Sequence, residues 1–151
     1  MKQQKNVVWI MFFGWVTILF LLIALSSKAQ HPNYYLEQFK EDAKLYNVQL
    51  SYSDPLFILQ EQEIYITLNG VYTQVEAYSD YTTSVIYFDV TSKMWTTNRK
   101  VLVYHELGHH YLRRVHTDKN SIMNINIWST KYFDHLNSKT QQEYVRELFL
   151  Y

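Results

Sequence analysis

The chain has 151 residues, and its 14 Lys and Arg balance 14 Asp and Glu, so it lacks the positive excess of a nucleic-acid binder. Aromatic residues make up 17%, with 14 Tyr against only 3 Gly and 2 Pro, which excludes a disordered tail. Cysteine is absent, which excludes a disulfide scaffold, a thiolate zinc finger and a cysteine nucleophile, and leaves nitrogen and oxygen to hold any metal.

The chain opens with Lys2 and Lys5 and then runs uncharged and apolar from Val7 to Leu25, long enough as a helix to cross a bilayer. Ser26, Ser27, Lys28 and Ala29 follow. Two readings stand: residues 1–29 are a secretory signal cleaved after Ala29, or residues 7–25 are an uncleaved membrane anchor. Both export the remainder, because the leading lysines favour a cytoplasmic N-terminus. Residues 30–151 then form one mildly acidic domain, secreted, periplasmic or tethered outside the cytoplasm.

Within that domain, Tyr35, Leu36, Phe39, Ala43 and Tyr46 recur at helical spacing, with charges largely between them, and predict an amphipathic helix over 34–46. Val48, Leu50 and Tyr52 alternate with polar residues and predict a strand ending near Asp54-Pro55. Ile64, Ile66 and Leu68 alternate, Asn69-Gly70 follows, and Val71, Thr73 and Val75 alternate again; this is a hairpin signal. Ser84–Val90 is β-branched and aromatic, a further strand and a candidate edge for an extended peptide. Asn98 caps a predicted helix to about Arg114, and Thr117–Trp128 reads as turn and loop. Ser138–Gln141 resembles a capping box before a final helix with Tyr144, Val145, Leu148 and Phe149 on its apolar face. The order predicts an α+β fold: a small twisted, mostly β-sheet with an N-terminal helix, a site-bearing central helix and a C-terminal helix.

The central helix carries His105-Glu106-Leu107-Gly108-His109. Four residues are a little over one helical turn, so the two imidazoles share a face and suit one metal ion. Glu106 is rotated about 100° from His105, which places it beside such a metal as a general base. A catalytic zinc needs a third protein ligand. His116, seven residues beyond His109, is the candidate, with Asp118 as a competitor; His110 is turned away from the pair. Glu143 or Glu147 of the last helix is a further alternative. Gly108 weakens the helix by roughly 1 kcal/mol relative to alanine, which points to close packing against a strand or loop.

Downstream stands Ser121-Ile122-Met123-Asn124. His-Glu-x-x-His, a later His and Ser-Ile-Met together resemble the metzincin clan of zinc metallopeptidases, in small exported or phage-associated forms; the match runs from Val101 to Asn124. The resemblance implies Zn²⁺ held by His105, His109 and His116, Glu106 as general base, Met123 in a methionine turn beneath the metal, and a peptide or protein substrate. The sequence departs from the clan where Leu112 replaces the glycine after the second His. Val115 stands where the third His is expected, so His116 falls one residue late, and the turn toward the metal is made near Arg113 or Arg114. Ile125 replaces the clan's tyrosine, leaving Tyr132 as a candidate outer ligand or transition-state donor. An exported binding module with zinc as a staple is the competing class, because a small domain without disulfides needs one.

Overall fold

Pro32 at the first turn and His31 as cap open helix α1 (Pro32–Leu45), where the His31 ring accepts from the Asn33 N–H at 3.3 Å. The computed structural model describes residues 31–68, 70–118, 121–124 and 141–150. Residues 1–29, Asn69, Tyr132, His135 and the 138–140 part of the expected capping box lie outside the described residues. Leu36, Phe39 and Ala43 form the buried stripe of α1, as their spacing predicts. The helix ends where Asn47 turns left-handed (φ 55°), and the Val48 N–H closes the end on the Ala43 carbonyl at 2.8 Å.

The strand expected over 48–54 does not form. Val48 and Leu50 pack against the core and account for the alternation, but the segment pairs with no strand among the described residues. Side chains anchor it instead: the Tyr111 hydroxyl and Lys40 Nζ donate to Asp54, each at 2.6 Å, and the His110 ring meets the Ser53 carbonyl at 2.9 Å. The strand lies just beyond Pro55, as β1 (Leu56–Gln60). Next come β2 (Ile64–Leu68) and β3 (Val71–Val75), the predicted hairpin, closed at Leu68↔Val71 with Gly70 at φ 81°. Strand β4 (Ala77–Asp80), which the sequence pattern does not suggest, leads into β5 (Val85–Asp89).

Strands β1, β5 and β4 form one sheet in that order, β1 parallel and β4 antiparallel to β5; β2 and β3 form a separate two-stranded sheet. The structure corrects the expectation that Ser84–Val90 offers an edge: β5 is paired on both sides, which is why Val85, Ile86, Phe88 and Asp89 are buried. The outer strands are β1 and β4.

Helix α2 (Lys93–Leu112) begins six residues earlier than the sequence predicts, capped by Ser92, whose hydroxyl accepts from the Trp95 N–H. Asn98 instead marks a kink, with φ −145° and ψ 44°. Beyond it, Leu102, Val103, Tyr104 and Leu107 are fully buried. The ring of Tyr104 meets Phe39 edge-on at 5.3 Å and its hydroxyl donates to Asp42 at 2.7 Å, joining α2 to α1. Helix α3 (Gln141–Leu150) buries Tyr144, Val145, Leu148 and Phe149, the expected face. The result is a mixed α+β fold with an N-terminal and a C-terminal helix against a central one, and two small sheets.

Gly108 lies where α2 meets both the methionine loop and α3. A Cβ built there stands 2.8 Å from Met123 Sδ and 3.0 Å from Leu148 Cδ1, inside van der Waals contact. Gly108→Ala should therefore fail to stabilise the full-length protein and should cost up to about 2 kcal/mol. Overpacking by one carbon in a filled core typically costs about 1–3 kcal/mol, against a gain of about 1 kcal/mol in helix propensity. Chemical denaturation reads the difference, and a variant more stable than the parent by the full propensity gain of about 1 kcal/mol would contradict the contact.

Candidate metal centre

The 3.6-residue period of α2 stacks His105 and His109 on one face, with ring centroids 4.7 Å apart. The helix then stops because Arg113 adopts a left-handed conformation, φ 53° and ψ 30°, and the Arg113 and Arg114 N–H groups both return to the Gly108 carbonyl. This is the work a glycine usually does. Here the Arg113 side chain packs over the rings of Tyr52 and Tyr81, at 4.0 and 4.8 Å, and such cation–π contacts help hold the strained residue. The turn sends the chain back along the helix and brings His116 to the pair.

Three Nε2 atoms converge. His105 to His109 is 3.0 Å, His105 to His116 is 3.1 Å, and His109 to His116 is 3.1 Å. The other ring nitrogens of the helix pair are spoken for: His105 Nδ1 lies 2.7 Å from the Ile122 carbonyl and His109 Nδ1 lies 2.6 Å from the Arg114 carbonyl. A carbonyl only accepts, so each Nδ1 carries the proton and each Nε2 presents a lone pair. In this tautomer His105 and His109 cannot hydrogen-bond to each other through Nε2. Lone pairs about 3 Å apart repel unless a cation sits among them, so the donor set fits a metal ion. Burial holds the His105 pKa down at about 3, helped by its neighbour His109 and opposed by the Ile122 carbonyl. Burial also lowers His109 and His116. All three stay neutral at physiological pH, the state that binds metal.

The methionine loop supports both sides of the cluster. Ile122 supplies the carbonyl to His105, while Thr117, next to His116, donates its N–H to the Met123 carbonyl at 2.9 Å and pairs with Asn124. The turn closes on itself through the Asn124 N–H to the Ser121 carbonyl, and the Asn124 side chain donates to the Asp118 carbonyl. Met123 is buried, and its sulfur fills the space above Gly108.

Glu106 turns from this face toward the sheet. It is 4% exposed, and its Oε2 accepts from the Ser79 hydroxyl on β4 at 2.6 Å. Burial raises its carboxyl to about 7, with the Ser79 hydrogen bond acting the other way. Sequence reasoning missed Ser79, as it missed the Ile122 and Arg114 carbonyls that meet the two helix histidines.

The converging group therefore consists of His105, His109 and His116 among the described residues. Asp118, the competing third ligand, lies outside it, as do Glu143 and Glu147 on α3. His110 faces Ser53 and His31 caps α1. Tyr132 and His135 fall outside the described residues. No protein-family model, curated protein or solved structure matches the chain, so the reading of the site rests on its own chemistry.

His116→Ala should weaken metal binding by more than the ~10–100-fold typical of losing an outer partner, while Asp118→Ala leaves it unchanged. Competition with a chelating dye on the full-length protein measures both. Unaltered affinity in His116→Ala, or loss in Asp118→Ala, would overturn the ligand assignment.

Proposed function

We propose that the domain is a zinc-dependent peptidase of the metzincin type, exported and either released or tethered by residues 7–25. The observation that supports this most directly is the buried side chain of Glu106, next in sequence to His105 on a helix whose His105 and His109 converge with His116 from the turn beyond it. A purely structural zinc calls for four protein ligands and has no use for an adjacent buried carboxylate. The described residues bring three nitrogens to the point of convergence, the number found where a zinc keeps one position for water or substrate. An all-nitrogen donor set in a chain without cysteine favours zinc.

Bound zinc supplies two things at such a site: it acidifies water toward a pKa of about 7 and it polarises a carbonyl oxygen. The protein's own groups do the rest. Glu106 takes the proton as water adds to the scissile carbonyl carbon, then delivers it to the departing amine nitrogen as the C–N bond breaks. His105 and His109 are kept in one tautomer by the Ile122 and Arg114 carbonyls, so their donor atoms stay aimed through the cycle. Strand β4, an outer strand of its sheet and the carrier of Ser79, lies alongside Glu106. An extended peptide substrate added along that edge would gain main-chain hydrogen bonds beside the base.

Glu106→Gln should retain stoichiometric zinc and lose peptide hydrolysis by roughly 10²–10⁴-fold, the usual contribution of a general base. The assay is turnover of a quenched-fluorescence peptide library by full-length protein, with chelator treatment abolishing parent activity and added zinc restoring it. A Glu106→Gln variant with parental turnover would contradict the role. A zinc-loaded parent that cleaves nothing would favour the structural-zinc module.

A further inference from the structure

The Ser79 hydroxyl makes the contact that holds the Glu106 side chain in place. Glu106 is enclosed between α2 and the β5–β4 side of the sheet, and a carboxylate there must be met by a donor or forfeit its charge. The donor is Ser79 Oγ, at 2.6 Å from Oε2 and 3.3 Å from the Glu106 carbonyl. A separation of 2.6 Å is typical of a charge-assisted O–H···O⁻ bond. Ser79 is itself 5% exposed and sits opposite Ile86 in the β4–β5 register, so its backbone is fixed by the ladder and its side chain points inward. Its neighbour Tyr78 points outward and Asp80 is bonded to Thr82 and Thr83 at the strand's end. A small polar residue at the inward position of an otherwise apolar sheet face is a poor choice for packing, and the carboxylate explains it.

We infer that Ser79 is the positioning residue of the general base: its hydroxyl ties Oε2 of Glu106 to the outer strand and leaves Oε1 as the oxygen that handles protons. This rests on the peptidase reading above. Ser79 touches neither substrate nor the converging nitrogens. It acts through Glu106, and through β4 it couples the base to the strand along which a peptide would lie.

The test replaces Ser79 by Thr and by Val, which share a shape and differ in the hydroxyl, together with Ser79→Ala, all in full-length protein. Zinc stoichiometry should stay at the parent value in each. Ala and Val should lower kcat about 10–100-fold, the range for losing an outer-shell partner, with KM changed less than threefold, and Thr should recover kcat to within a few-fold of the parent. A second readout needs neither metal nor turnover. The infrared carboxyl band of Glu106, assigned by its disappearance in Glu106→Gln, should shift in Val and stay near the parent in Thr. Equal kcat in Val and Thr, an unshifted band, or loss of zinc with the hydroxyl would each overturn the assignment. If the parent hydrolyses peptides and Glu106→Gln does not, such a result sinks only the Ser79 role. A parent without hydrolysis sinks the peptidase reading, and with it the Ser79 role.

Discussion

Three imidazole nitrogens meeting at one point are the constraint around which the rest of this fold is arranged. Nothing about a helix with two histidines one turn apart requires a third ring to join them. The third arrives because α2 stops at Leu112, Arg113 turns left-handed, and the chain doubles back. Each step has its own support: the Gly108 carbonyl takes two N–H groups from the turn, two tyrosine rings flank the Arg113 guanidinium, and the methionine loop pins Thr117 immediately beyond His116. The same loop offers a carbonyl to His105. One short stretch of irregular chain thus orients a ligand on the helix and locates the ligand that follows it.

The site is tied to the hydrophobic core through the neighbouring side of the same helix turn. His105 and His109 face His116, while Gly108, three residues on from His105, lets Met123 and Leu148 approach closely beside them. Glu106 takes a third direction, toward Ser79. Four consecutive directions of one helical turn therefore have four different neighbours: ligand cluster, strand hydroxyl, hydrophobic core around Leu107, and methionine loop. This is why α2 is buried almost all round over 102–111 even though it carries three histidines and a glutamate there.

Much of this was legible in the sequence, and the misses have physical causes. The histidine pair, Glu106 and His116 follow from helical phase and ligand count, and the turn near Arg113 follows from the missing glycine. The packing reason for Gly108 was legible as well, because a glycine within a helix asks for a neighbour. Strand β4 was not: it is four residues long, and its inward residue is Ser79, whose partner is a carboxylate, so the apolar alternation that marks a strand is interrupted at the site itself. The segment 48–54 shows the converse. Its alternation is real, but it comes from resting against the core, and it pairs with no strand among the described residues. The parallel partner of β5 is β1, whose continuous apolar run beyond Pro55 carries no period, and whose pairing across the intervening hairpin and β4 leaves no local signal.

The central claim is that three imidazole nitrogens and no protein carboxylate hold the metal. X-ray absorption spectroscopy of the zinc-loaded full-length protein tests it most directly. The account predicts a first shell with three imidazole nitrogens at about 2.0–2.1 Å, and the same three in Glu106→Gln. A shell with two imidazoles, or a parent spectrum showing a carboxylate ligand that vanishes when Glu106 is replaced, would contradict it.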